Sequence, residues 1–315
     1  MGQYVEKARE AVAQVNKVIL GKEKAVEEIM TAFLANGHVL LEDIPGVGKT
    51  TLALAFSKAM ELECKRVQFT PDVMPSDLTG FSIYRKEEEK FVYQAGSVFC
   101  NLLLADEINR TSPKTQSALL EVMEERKVSV EGVTREVPKP FLVIATQNPL
   151  GNAGTQSLPE AQVDRFMISL TLGYPDFDSE LSMAKSITNA DRLDLVEPVI
   201  EREQLLEMQK DIHNVYIKDE VYSYIVNLVV ATRKHPSLDR GASPRATNAL
   251  VRMSKSAAWL SGREYVTPND VCGQFPYVVT HRVTSNMAAK MDNTSKWEIV
   301  EGIIREVRKP PLGVL

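Results

Sequence analysis

The stretch Pro45-Gly46-Val47-Gly48-Lys49-Thr50-Thr51 constrains this chain more than any other. It follows an apolar run, His38-Val39-Leu40-Leu41, and opens a helical pattern in which Leu52, Phe56, Ala59 and Met60 share one face. A glycine-rich turn between a strand and a helix is a phosphate-binding arrangement. Gly46 and Gly48 carry no side chain, so backbone N–H groups can close around phosphate oxygens. The new helix adds its unpaired N–H groups and the positive end of its dipole. Lys49 offers a compact charge to the β- and γ-phosphates, and the Thr50 hydroxyl suits Mg²⁺. The strict pattern asks for glycine at position 43, where this chain has Asp43. If the turn needs positive φ there, aspartate is a mild penalty, because it tolerates left-handed geometry. The competing reading, a helix-capping loop that binds nothing, stays open on these residues alone.

A second signal lies downstream. Asn101-Leu102-Leu103-Leu104-Ala105 reads as a buried strand ending in Asp106-Glu107. Adjacent carboxylates at the carboxyl end of an apolar strand sit where open α/β sheets bind ligands. Asp106 can hold Mg²⁺ and Glu107 can polarise an attacking water, a role typically worth ~10²–10⁴-fold. Phe141–Ala145 is another buried strand, ending in Thr146-Gln147-Asn148-Pro149. The Asn148 amide can orient that water and touch the γ-phosphate, or merely cap the turn. Leu158–Phe166 precedes a last strand, Met167–Leu170, where Arg165 lacks local cover and could reach an adjacent subunit.

Two hairpins are expected. Phe81–Arg85 and Lys90–Tyr93 flank a charged turn, and Lys127–Val130 and Thr134–Val137 flank Glu131-Gly132-Val133. The aromatic residues Tyr84, Phe91 and Tyr93 could grip a partner or simply pair across strands. Upstream, a helix over 3–16 and another from Lys22 to Ala35 bracket Val18-Ile19-Leu20-Gly21. Ile19 and Gly21 could wall an adenine ring, with plain core packing as the alternative. After Gly173-Tyr174-Pro175 the pattern turns helical, over roughly 176–187, 201–212, 219–234, 244–260, 268–275 and 296–307. Ser243-Pro244 starts one of these and puts Arg245 in its first turn, where a cation is locally unfavourable. An anionic ligand would offset that; otherwise Arg245 is a solvated surface residue.

Composition sets the bounds. At 315 residues about two domains are expected, and the net charge of −5 gives no global field for nucleic acid. Cys64, Cys100 and Cys272 are odd in number and far apart, as for reduced thiols in the cytosol, and the four histidines are scattered. No signal-peptide core or bilayer-spanning run is apparent, so no membrane insertion is expected.

Taken together, Pro45–Thr50, Leu102–Arg110 and Pro113-Lys114-Thr115-Gln116-Ser117-Ala118-Leu119-Leu120-Glu121 resemble the MoxR family of AAA+ ATPases, in the helix-2-insert branch. Ala145–Pro149, Leu158–Phe166 and Gly241–Arg245 extend the match over essentially the whole chain, and Leu41-Glu42-Asp43 looks like what members carry. The resemblance implies an α/β fold: an AAA+ P-loop αβα sandwich with a central parallel sheet over 1–174. Hairpin inserts would lie near 79–95 and 126–139, a linker over 175–189, and an all-helical lid over 190–315. It implies ATP and Mg²⁺, the latter on Thr50 and Asp106, with Pro45–Thr51, Ile19 and Gly21 around the nucleotide and Glu107 activating water. Asn148 would be the first sensor and Arg245 the second, coupling the γ-phosphate to the lid. Arg165 looks like the arginine finger, a residue worth ~10³–10⁵ in other phosphate-loop enzymes; Arg110 and Arg126 are rivals. It further implies a hexameric ring in the cytoplasm, chaperone-like maturation or metal insertion, protein clients and a von Willebrand A domain partner. Three other readings compete: a nucleic-acid motor, disfavoured by the acidic balance; a small-molecule kinase; and a scaffold that binds ATP without turnover.

Overall fold

The computed structural model describes residues 2–43, 46–148, 158–185 and 192–311. The chain begins with α1 (Gly2–Asn16) and α2 (Glu23–Leu34), then β1 (Val39–Glu42), α3 (Lys49–Ala59) and β2 (Cys64–Gln68). A short α4 (Pro75–Thr79) leads to the hairpin β3 (Phe81–Arg85) and β4 (Lys90–Gln94). There follow β5 (Leu102–Asp106), α5 (Pro113–Glu125), the second hairpin β6 (Lys127–Val130) and β7 (Val133–Glu136), β8 (Leu142–Gln147), α6 (Glu160–Val163), β9 (Ile168–Leu170) and α7 (Phe177–Lys185). The remainder holds α8 (Arg202–His213), α9 (Asp219–Thr232), β10 (Leu238–Arg240), α10 (Pro244–Leu260), α11 (Pro268–Val279), β11 (Thr284–Ser285), α12 (Met287–Met291) and α13 (Lys296–Glu306).

The apolar runs become a five-stranded sheet in the order β2-β5-β8-β1-β9, with every pairing parallel. A parallel sheet is covered on both faces, which explains why β5 is buried along its whole length instead of alternating with polar residues. Alternate side chains separate into two layers. Leu41, Leu102, Leu104, Leu142 and Ile144 face the side of α1, α2 and α3. Leu40, Leu103, Ala105, Val143 and Ala145 pack with Leu119, Val122 and Met123 of α5. This is the expected αβα sandwich, and the strand order brings the carboxyl ends of β1, β5 and β8 side by side.

The later helices form the lid, helical apart from the antiparallel ribbon β10–β11. They are not detached from the first part of the chain. One buried apolar cluster runs from α1 and α2 through α8, α9, α10 and α11. Ser256 Oγ donates to the Thr31 carbonyl at 2.7 Å, and Gln209 Nε2 to the Phe33 carbonyl at 2.8 Å. The two hairpins also touch each other. Ser82 Oγ donates to Glu131 at 2.5 Å, and the Arg135 guanidinium lies 3.8 Å from the Tyr93 ring centre. Tyr84 and Phe91 do pair across the β3–β4 strands, edge to face at 5.3 Å, while Phe91 stays 72% exposed.

Candidate nucleotide site

The glycine-rich turn adopts the conformation its glycines permit. Gly46 has φ +90° and Gly48 φ +88°, and Gly48 is the N-cap of α3, so the first-turn N–H groups of α3 face the turn. Thr50 and Thr51 lie half-buried in that first turn. Pro45 lies outside the described residues. Lys49 is buried and its Nζ donates to the Asp43 carbonyl at 3.1 Å. Asp43 does not take positive φ, so the turn asks for no left-handed geometry at the glycine position. Its carboxylate instead accepts backbone N–H bonds from Leu172 at 2.5 Å and Gly173 at 2.9 Å. The residue in the glycine position therefore ties the end of β1 to the segment that leaves β9.

Across the sheet, Thr146 organises the carboxylate pair. Its hydroxyl donates to Asp106 Oδ1 at 2.7 Å and accepts the Glu107 N–H at 2.8 Å. The other Asp106 oxygen is paired with Arg66 of β2 at 2.8 Å. Glu107 holds φ +58°, which turns its side chain out of the strand. One oxygen accepts from Asn148 Nδ2 at 2.8 Å and the other from Arg110 at 2.7 Å. Asn109 fixes Asn148 from behind, with its amide exchanging two hydrogen bonds with the Asn148 backbone. Asn148 Oδ1 is buried without a partner among the described residues. With Nδ2 engaged by Glu107, the free atom is an acceptor, which suits a water better than a phosphate. Loss of solvent raises the Glu107 carboxyl, but Arg110 and Asn148 outweigh it and leave the group below the usual glutamate range.

Ile19 is buried in the core, so the adenine-facing role expected of its side chain is not supported. Gly21 has φ +68°, and a Cβ there would meet Ser179 Oγ at 2.6 Å. The 18–21 segment thus lies against the start of α7. A cleft of about 950 Å³ opens at the carboxyl ends of β1, β8 and β9, lined by Glu42, Asn148 and Leu172 on one side and by Tyr277, Lys296 and Trp297 of the lid on the other.

The arginines divide differently from expectation. Arg110 is bound to its own chain's Glu107. Arg126 donates to the Phe141 and Asn36 carbonyls, and burial together with Arg252 pushes it down to about 10. Arg126 is thus held inward, whereas Arg110 is exposed but engaged by Glu107. Arg165 and Arg245 instead meet on one carboxylate, Glu124 near the end of α5, at 2.7 and 2.5 Å. They share a pocket with Gly37, His38 and Met167, which precede β1 and β9. β1 stands between that pocket and the Lys49 loop, and its four residues span about 13 Å at roughly 3.3 Å each. Arg245 therefore lies at the far end of the sheet from its own chain's phosphate loop, and Glu124 is the anion that balances it. Sequence reading missed Arg66, Thr146, Asn109 and Glu124; only the placement of Thr146 and Asn109 inside the motif segments hinted at two of them.

Residues 38–168 match the family model described as ATPase family associated with various cellular activities, and residues 230–303 match the AAA lid domain. Chaperone MoxR1 of Mycobacterium tuberculosis is 38% identical, over 97% of this chain and 83% of its own. YeaC of Bacillus subtilis is 45% identical, over 95% and 94%. A crystal structure of a Cytophaga hutchinsonii protein superposes with a TM-score of 0.91 at 38% identity, covering 98% of this chain and 96% of that one.

Proposed function

Because this chain belongs to the MoxR family of AAA ATPases, whose membership implies nucleotide binding and ATPase activity, we propose that it hydrolyses ATP to ADP and phosphate in a ring of identical protomers. The observation that carries this reading is the hydrogen-bonded pair Glu107–Asn148, joined across β5 and β8 beside the Lys49 turn. In it, Lys49 holds the phosphates, and Glu107, already ionised, takes a proton from the attacking water while the free Asn148 Oδ1 accepts that water's second hydrogen. Thr50 and Asp106 offer the hard oxygens that Mg²⁺ prefers, and the bound ion would neutralise charge on the β- and γ-phosphates. Arg165 and Arg245 act on the nucleotide of the adjoining protomer, since both sit on the edge away from their own loop. This replaces the expectation that Arg245 reads the phosphate within its own chain.

Loss of the γ-phosphate would release Glu107, Asn148 and the neighbour's arginines together. That is a difference in contacts able to shift the lid and the two hairpins. A six-membered ring in the cytoplasm, acting on protein clients with a von Willebrand A domain partner in maturation, complex assembly or metal insertion, completes the proposal. The name of the relative MoxR1 supports the chaperone part. The test is Glu107→Gln. It should retain ATP binding and lose at least ~10²-fold in hydrolysis. Turnover equal to the parent protein would remove Glu107 from its role, and an ATP-loaded Glu107→Gln pull-down should retain clients.

A further inference from the structure

The pocket at the amino end of the sheet, about 340 Å³, gathers five arginines: Arg126, Arg165, Arg245, Arg252 and Arg282. Three of them are already spoken for. Arg126 and Arg252 donate to backbone carbonyls at 35–36, and Arg282 is buried against Asp164 at 2.8 Å. Glu124 answers both Arg165 and Arg245, one oxygen to each, and Arg165 also donates to the Leu120 carbonyl at 3.0 Å. These two arginines come from separate parts of the molecule, the segment before β9 and the first turn of the lid helix α10. Asp164 ties those parts together, since it accepts Ser243 Oγ at 2.8 Å as well as Arg282. The Arg165 Nε is buried and has no partner among the described residues.

We propose that Glu124 is a latch: its carboxylate stands where a phosphate of the adjoining protomer's nucleotide would stand, and holds Arg165 and Arg245 until the ring forms. The proposal rests on the reading that these two arginines act across a subunit boundary. The physical case is one of competition. The side chains are partly solvent-exposed, at 30% for Arg165, 49% for Arg245 and 39% for Glu124. An ion pair so exposed is worth a factor of about 1.4 to 5. A triphosphate presents more charge and more acceptor oxygens than one carboxylate, and charge-assisted contacts to it are stronger. Arg245, at the positive end of α10, needs an anion in either state. The exchange leaves Glu124 without its partners, so assembly is opposed by the strength of the latch.

Removing the charge should therefore ease assembly. In Glu124→Gln, with two such pairs lost, the protein concentration giving half-maximal ATP turnover should fall by about twofold to 25-fold, and Glu124→Ala should shift it in the same direction. A fall in turnover at saturating protein with no shift in that concentration would mean that Glu124 positions the arginines productively, and would overturn the latch. So would an unchanged or raised midpoint. A parallel mixture of Arg165→Ala with Lys49→Ala separates the two ideas. Recovery of turnover in that mixture with an unmoved Glu124→Gln midpoint defeats the latch alone; no recovery defeats the reading beneath it.

Discussion

Glu107 sits under opposing pressures, and Arg110 decides the outcome. Burial and the neighbouring Asp106 raise its carboxyl, while hydrogen bonds from Arg110 and Asn148 lower it further than they raise it. Its carboxyl is held below the usual glutamate range for that reason. Replacing Arg110 with alanine removes lowering contacts and leaves the raising ones, so the carboxyl must move up. The acid limb of the turnover–pH profile at saturating ATP should then shift toward neutral pH; an unmoved limb would detach Arg110 from this role. At this scale the sequence disclosed Lys49, Asp106, Glu107 and Asn148, because each ends a strand or opens a helix within a recognisable motif. It did not disclose Arg66 or Thr146, each 40 residues from the Asp106 carboxylate it touches. Such partners are chosen by strand order, and no local spacing encodes which strand becomes a neighbour.

Elements with strong local signals are placed as read. The cap and proline at Ser243-Pro244 begin α10, which runs to Leu260 as the periodicity over 244–260 predicts. The ribbon β10–β11 and the five-residue α12 escaped, because segments so short leave no period to count. The turn at Asp43 is more instructive. A motif argument treats it as a missing glycine, yet its buried carboxylate serves two backbone N–H groups, that of Leu172 in a buried bond and that of Gly173 in a part-buried one. Asp43→Gly, which restores the strict motif, should therefore destabilise the fold by about 1–3 kcal/mol for each donor left buried and unpaired. Urea unfolding measures this, and Asp43→Asn, which keeps one acceptor oxygen, should lose less. If Asp43→Gly matched the parent protein, the clamp between β1 and the segment after β9 would be of no energetic account.

Whether sheet and lid unfold as one body is a question about the core they share, and two histidines can report on it. His38 is buried at the start of β1 with Nε2 on the Met123 carbonyl, and His281 lies between the lid and the sheet with Nε2 on the Phe166 carbonyl. Loss of solvent first, then nearby guanidinium groups, holds both well below the usual histidine value: Arg126 and Arg252 for His38, Arg282 for His281. Above pH ~6.5 each is neutral both folded and unfolded, so stability is complete there. As pH falls below ~6.5 the unfolded chain takes up protons that the folded chain refuses. Stability then drops by up to about 1.4 kcal/mol per pH unit for each histidine, until the folded groups titrate. Unfolding free energy measured in urea between pH 7 and 5.5 should therefore fall with a slope of up to about 2.8 kcal/mol per unit from the pair. His281→Gln, whose amide can still donate to the Phe166 carbonyl, should remove about half of that slope. If sheet and lid are held by the continuous cluster from α1 to α11, that change appears in a single transition. Two transitions, with only the weaker one responding to His281→Gln, would mean that the lid opens independently of the sheet and that the shared core does not bind them into one cooperative unit.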